Sequence, residues 1–170
     1  MQETPQEYTA RILGYQAGKK PLKVQHATVK KIDRLIKSIS KKKLTTRPEP
    51  GKWSVGEILA HLADTELVGG FRIRLILGEN GATIQAFDQD VWSEKMNYTQ
   101  RDPKKSLETF RVLRENNLAL LQSLPKTLWD NFGMHTERGK ETVTRITEMF
   151  AGHDINHLRQ IEKIIGRKSK

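Results

Sequence analysis

One segment near the C-terminus constrains the fold most strongly. Its apolar side chains recur at steps of three or four residues, at Val143, Ile146, Phe150, Ile161 and Ile164. That spacing is typical of the buried stripe of a helix in a bundle. The stripe has two positions without a hydrophobic residue, and histidines occupy both, His153 and His157. A helix over residues 143–165 must therefore bring two imidazoles into the core.

Histidines four residues apart lie on one face of a helix, where they can bind the same cation. The alternative is two core histidines whose ring nitrogens are satisfied by backbone or carboxylate partners. A divalent ion would bind one nitrogen of each ring and fix both tautomers, which offsets the desolvation of two neutral rings. We therefore predict a metal site at His153 and His157, completed by a third ligand from elsewhere in the chain.

The length and composition of the chain suit one globular domain over residues 1–170. Of its 170 residues, 36% are hydrophobic, which is sufficient for one bundle core. No apolar run reaches the length that spans a bilayer, and the first twenty residues carry charges where a signal peptide is apolar. We expect a soluble protein of the cytoplasm. Cysteine is absent, so any thiol chemistry must use a thiol from a cofactor or substrate.

The net charge of +10 comes from short clusters of lysine and arginine spread along the chain. None of these clusters is interleaved with aromatic residues, as a nucleic-acid platform would be. Most of them are expected to be solvated surface. The resulting positive field would attract anionic small molecules and, at low salt, nonspecific nucleic acid.

The apolar periodicity predicts an all-α chain, with one short helix followed by four long ones. Capping boxes mark the start of the short helix at Thr4 and of a long helix at Ser54, and Gly18 ends the short helix. The long helices are predicted over residues 21–40, 54–77, 103–124 and 143–165. We expect an extended connection over residues 43–51 and a polar loop over residues 133–140.

The predicted helix over residues 54–77 supplies the third metal ligand. His61 lies beside its apolar stripe, where a histidine could also simply face solvent. Because the pair on the last helix needs a partner, we predict that His61 joins it. His135 precedes the last helix by a few residues and is a candidate of second rank, while His26 is expected at the surface.

Two further features indicate where a ligand would bind. The segment of residues 79–101 lacks a helical period and is long enough to cross over between bundle ends. Its aromatic residues, Trp92 among them, either form a wall over a pocket and contact the cofactor or seal the core. Arg114 falls near the inward face of its helix, so it either pairs with a buried carboxylate or binds an anionic cofactor.

Two sequence segments resemble the DinB-like (DinB/YfiT) family of metal-binding four-helix bundles. The first is Gly51-Lys52-Trp53-Ser54 leading into residues 57–64, and the second covers residues 152–161. The resemblance extends over residues 5–165. It implies a four-helix bundle with a short extra N-terminal helix and a long crossover loop. The ligand pattern of the family falls on His61, His153 and His157.

The metal site that the resemblance implies favours an enzyme that depends on a divalent metal. Three neutral imidazoles leave a coordination position open, which is typical of a catalytic site, and imidazole suits zinc or nickel. In a thiol S-transferase of the bacillithiol type, the metal would stabilise a thiolate from the cofactor. In a hydrolase, the metal would activate water. Asp64 and Asp154 either hydrogen-bond to the metal ligands or are surface charges.

The alternative function is a protein without catalysis that holds metal or associates with nucleic acid. For the enzyme we expect a small molecule as substrate, allow for a homodimer, and expect neither a membrane nor nucleic acid as partner.

Overall fold

A computed structural model describes residues 3–169 of the chain. Its regular elements are seven α-helices and three short strands among the described residues, α1 (Pro5–Gln16), α2 (Pro21–Ile36), α3 (Lys41–Thr45), α4 (Val55–Gly78), β1 (Thr83–Ile84), α5 (Gln89–Lys95), α6 (Pro103–Ser123), β2 (Phe132–His135), β3 (Gly139–Thr142) and α7 (Val143–Ile165). Within residues 3–169, no helix combines the length and apolarity needed to cross a membrane.

Local sequence signals explain where the helices begin. Both predicted capping boxes are present, because Thr4 and Ser54 each accept a hydrogen bond from the backbone of a glutamate three residues later. Asp102 caps α6 through two backbone N–H groups, and a proline follows it at the first helical position. Helix α7 has the predicted bounds and ends at Gly166, whose φ of 74° favours glycine.

Helices α2, α4, α6 and α7 form a four-helix bundle. Each helix packs against two neighbours, in the cyclic order α2, α7, α4, α6. Gln25 donates to the carbonyl of Thr147, and Arg167 beyond α7 bonds to Ser38 beyond α2, so α2 and α7 run parallel. Glu66 of α4 forms a salt bridge with Arg114 of α6, and Arg74 of α4 donates to the amide oxygen of Asn117 of α6. Helices α4 and α6 are therefore also parallel.

Helices α4 and α7 are antiparallel, because His61 lies near His157 while Gly69 faces Phe150. The four helices therefore run up, down, down, up. Since α4 and α6 are parallel neighbours, the chain between them must return along the length of the bundle. The crossover segment, residues 79–101, does so, as predicted.

The connections contain more regular structure than the sequence predicts. The crossover segment includes β1 and α5, and the predicted polar loop at residues 133–140 is instead part of the hairpin β2–β3. Strand β1 pairs parallel to β2, so this small sheet joins the crossover to the start of α7. Helix α2 ends at Ile36, before the predicted end, and the short α3 begins the connection to α4.

The interior of the bundle has two apolar clusters with a polar layer between them. One cluster includes Ile58, Phe110 and Ile161, and the other includes Ile76 and Val143. Buried polar side chains in the middle of α4, α6 and α7 include His61, Glu66, Arg114, Asn117, His153, Asp154 and His157. Burying so many polar groups requires that they satisfy one another or a ligand.

Candidate metal centre

Three histidines from two helices meet in the polar layer. His61 comes from α4, and His153 and His157 come from successive turns of α7. The Nε2 atom of His153 lies 3.0 Å from Nε2 of His61 and 3.0 Å from Nε2 of His157. The three side chains each offer one nitrogen within 4.8 Å of the others. The structure thus brings together the three predicted ligands.

The tautomers favour a cation over hydrogen bonds among the three rings. Nδ1 of His157 lies 2.8 Å from Oε1 of Gln160, an acceptor, so this nitrogen carries the proton and Nε2 presents a lone pair. Nε2 of His153 has two nitrogen neighbours at 3.0 Å, and a single proton cannot serve both contacts. Neighbouring nitrogens about 3 Å apart suit an ion bound at about 2.0–2.1 Å. The donor set therefore fits a divalent metal.

Burial keeps all three imidazoles neutral. Desolvation lowers the pKa of His61 and of His153 well below the ordinary value, and the neighbouring histidines add to the effect. Desolvation also lowers the pKa of His157 to about 4, although its bond to Gln160 opposes the shift. At neutral pH each ring can therefore offer a nitrogen lone pair without first losing a proton.

The groups around the histidines are mainly aromatic and neutral. The ring of Trp53 lies 4.9 Å from that of His61, and Oγ1 of Thr65 lies 3.4 Å from its Nδ1. Neither predicted aspartate hydrogen-bonds to a histidine. Asp64 instead accepts from the hydroxyl of Tyr98 and the guanidinium of Arg101.

Asp154 has a different role from the two that the sequence predicts. It is fully buried and bound by both terminal nitrogens of Arg114, at 2.5 and 2.9 Å. Arg114 also pairs with Glu66 at 2.8 Å and donates to the carbonyl of Gln25. Of the two roles predicted for Arg114, the structure shows pairing with buried carboxylates. Its guanidinium joins α6 to the three other helices of the bundle and lines neither of the two clefts near the histidines.

Two clefts reach the histidines and are lined by different members of the group. The first cleft has a volume of about 690 Å³ and is lined by His157 together with Trp53 and Gln160. The second has a volume of about 510 Å³ and is lined by His61 and His153. Both clefts are bordered by the start of α1 and by residues 89–90 of the crossover segment. The histidine group is thus accessible to small molecules despite its burial.

The crossover segment contributes to the walls of the clefts through residues other than Trp92. Residues 86–90 line the second cleft, whereas Trp92 lines neither. The ring of Trp92 packs against that of Phe87, with centroids 4.6 Å apart, and Phe87 faces the cleft. Residues 86–90 therefore form a wall of the second cleft, and Trp92 packs against one of them, Phe87, without lining the cleft.

The two remaining histidines are separate from this group. His26 is exposed on α2, as predicted. His135 is buried in β2, where its Nδ1 accepts from the backbone N–H groups of Glu137 and Arg138, while Nε2 has no partner among the described residues. It is not one of the three converging ligands. Gln160 was not among the predicted residues, although its position three residues after His157 places both on one helix face.

The fold and the site together define a class of protein, a helical bundle with a buried three-histidine group that can hold a metal ion. The chain belongs to the DinB superfamily, whose family model matches residues 26–161.

Similar proteins agree with this assignment. A protein of Oceanobacillus iheyensis is 26% identical over 82% of this chain and 83% of its own length. The YfiT protein of Bacillus subtilis is 26% identical over 81% of this chain and 78% of its own length. Both are named "putative metal-dependent hydrolase". The solved structure of YfiT, described as an unusual four-helix bundle, matches with a TM-score of 0.77 and 23% identity over 87% of each chain. That likeness supports the up, down, down, up bundle.

Proposed function

We propose that the chain is a divalent-metal-dependent hydrolase whose metal is held by His61, His153 and His157. The observation that carries this proposal is the convergence of three neutral Nε2 atoms at a point that two clefts reach. The names of the relatives from Oceanobacillus iheyensis and Bacillus subtilis support it. Zinc and nickel are the ions that imidazole ligands favour.

A divalent ion in this position would supply Lewis-acid catalysis. The residues of the chain would bind this ion and orient the histidine rings that hold it. Gln160 keeps the proton of His157 on Nδ1, and the ring of Trp53 packs against that of His61 and helps to fix its orientation. Because all three ligands are neutral, they do not reduce the charge of the ion, so its full charge would act on the substrate.

A thiol S-transferase is the second candidate, and the pair of clefts favours it. His157 faces one cleft, while His61 and His153 face the other. A thiol cofactor in one cleft and an electrophilic substrate in the other would meet at the same ion. The absence of cysteine fits this reaction, because the thiol would come from the cofactor.

Metal analysis of the purified protein is the first test. We expect about one divalent ion per chain in the wild type and strong loss of metal from His153→Ala and His157→Ala. His26→Ala is the matched control, since this histidine is exposed on α2 and should retain full occupancy. Full metal content in both α7 variants would refute the site.

Activity assays then separate the candidate functions. The metal-loaded protein is screened against ester and amide substrates, and against electrophiles with and without a low-molecular-weight thiol. Turnover without thiol supports the hydrolase, and turnover that requires thiol supports the transferase. An occupied site with neither activity would favour the metal-binding protein without catalysis. The cytoplasmic location and the homodimer stay predictions.

A further inference from the structure

One face of helix α4 lines the second cleft. The lining residues of this helix are His61, Thr65, Val68 and Arg72. They are separated by four, three and four positions, which is the repeat of a single helical face. Arg72 is therefore directed to the same space as His61, about three turns further along the helix.

Arg72 is a buried cation without a carboxylate partner. Only 9% of the residue is exposed. Its Nη2 donates to the carbonyl of Gln85, and its guanidinium lies 5.6 Å from the centre of the Phe87 ring. Within residues 3–169 it forms no salt bridge, and its Nε and Nη1 form no hydrogen bond. A largely buried guanidinium without a salt bridge is unfavourable, so an anion bound in the cleft would stabilise this arrangement.

The neighbouring arginine does not compete for the same anion. Arg138 also lines the cleft, but its guanidinium is held by the buried Glu141 at 2.7 and 3.0 Å. Burial lowers the pKa of Arg72 to about 10, and the charge of Arg138 contributes to the shift, while the carboxylates of Glu141 and Glu137 oppose it. An anion beside Arg72 would oppose both effects, because neither of these glutamates forms a salt bridge with Arg72.

Acidic residues of the cleft select among anions. Asp88, Asp90 and Glu137 line the same wall, and Asp88 is occupied in part by capping α5. These charges would repel a dianionic phosphate more strongly than a carboxylate, which carries a single charge. A carboxylate also matches two parallel N–H donors of a guanidinium.

We propose that Arg72 binds a carboxylate group of the substrate, so that the second cleft takes molecules with a carboxylate at one end and the reactive bond near His61 and His153. That these molecules are substrates rests on the function proposed above, whereas the carboxylate site depends only on Arg72 and the cleft. The Cα atoms of residues 61 and 72 are about 16 Å apart along the helix. The carboxylate is thus several bonds away from the reactive group.

Titration with butyrate, followed by NMR, tests the carboxylate site. We expect saturable binding to the protein as purified, with shifts in the signals of the second cleft. Arg72→Gln should weaken binding by about tenfold or more, because the guanidinium fork is lost. The experiment is repeated after metal removal by a chelator. Butyrate binding that persists in the metal-free protein shows that the carboxylate site does not depend on the metal. A failure of the proposed metal chemistry would therefore leave this result unchanged.

Three controls make the result specific. Butyramide has the same shape without the charge and should not bind. Arg111→Gln removes an equal charge from the exposed face of α6, where Arg111 pairs with Glu108 and Glu115, and should leave the affinity unchanged. Arg72→Lys retains the charge but not the fork, so it should bind more weakly than the wild type. This variant decides the question if Arg72→Gln does not fold.

Two results would overturn the proposal. One is equal affinity for butyrate in the wild type and in a folded Arg72 variant, or no saturable binding at all. The other is inorganic phosphate binding more tightly than butyrate and being lost in Arg72→Gln, which would assign the site to phosphate instead of carboxylate.

Discussion

The position of a single proton determines how His157 can act. Its Nδ1 donates to Gln160, which leaves Nε2 as the only nitrogen of the ring that can bind a metal. His61 has a weaker constraint, since its Nδ1 lies 3.4 Å from the hydroxyl of Thr65. The contact with Gln160 is therefore the strongest orienting contact of the three histidines.

Replacing this glutamine tests the orienting role. Gln160→Ala should weaken metal affinity by about 10- to 100-fold, the usual effect of removing a partner that orients a histidine ligand. The measurement is competition for the metal with a chelator of known affinity. Lys163→Ala is the control, because Lys163 lines the same cleft and does not contact His157. Equal affinities in all three proteins would contradict the role of Gln160.

Buried neutral histidines also make the stability of the metal-free protein depend on pH. The pKa of His157 is about 4 in the folded state, below the ordinary 6.5 expected for the unfolded chain. The unfolded chain therefore binds the proton first as the pH falls. Stability is complete above about pH 6.5 and decreases towards pH 4. His61 and His153 shift in the same direction.

Urea unfolding of the metal-free protein measures this dependence. Between about pH 7.5 and about pH 5, His157 should account for a loss of roughly 2 kcal/mol in the free energy of unfolding. In His157→Gln, whose side chain cannot titrate, the free energy of unfolding should decrease by about that much less over the same pH range. A wild type whose stability is unchanged over this range would show that the imidazoles are not neutral in the folded state.

At the scale of elements, the sequence predicts the helices well where the start and stop signals are local. The two capping boxes and the bounds of α7 are correct, because each depends on a few neighbouring residues. Strand β1 has two residues, too few for a period, and it exists because β2 lies beside it. Arg72 was not among the predicted site residues, although it follows His61 by eleven positions and this spacing places both residues on one face of α4.

Helix α1 packs against α7 at Gly152, the residue before His153. A Cβ atom on Gly152 would lie 2.0 Å from the carbonyl oxygen of Ile12, which cannot move without displacing α1. Only glycine at this position allows the two helices to approach so closely. The approach also brings the start of α1 to the border of both clefts.

Alanine substitutions of two glycines, one at this contact in α7 and one at an open position of α1, should have opposite effects on stability. Gly152→Ala should lower the free energy of unfolding by about 1–3 kcal/mol through overpacking. Gly14→Ala, within α1 and with no atom within 4 Å of the added Cβ, should raise it by about 0.5–1 kcal/mol through helix propensity. Chemical denaturation measures both. Equal effects of the two substitutions would show that α1 does not pack closely on α7.

At the scale of the whole molecule, two electrostatic systems are separated by depth. The polar layer is buried, and its ion pairs join Arg114 to Glu66 and Asp154 across three helices. The net charge of +10 lies mostly on exposed lysines and arginines. Salt screens exposed charges strongly and buried contacts weakly. Ionic strength can therefore act on ligand capture without disturbing the metal site.

The salt dependence of thiol binding would show this separation. For the metal-loaded protein, the affinity for 3-mercaptopropionate should weaken several-fold between about 0.05 M and about 0.5 M salt, because the Debye length shortens from about 14 Å to about 4 Å. The affinity for uncharged 2-mercaptoethanol and the metal content should change little, since ligation is short-ranged. Isothermal titration with both thiols measures the affinities. If both thiols lose affinity equally, salt acts on the metal site itself; if neither does, the surface charge has no part in capturing anions.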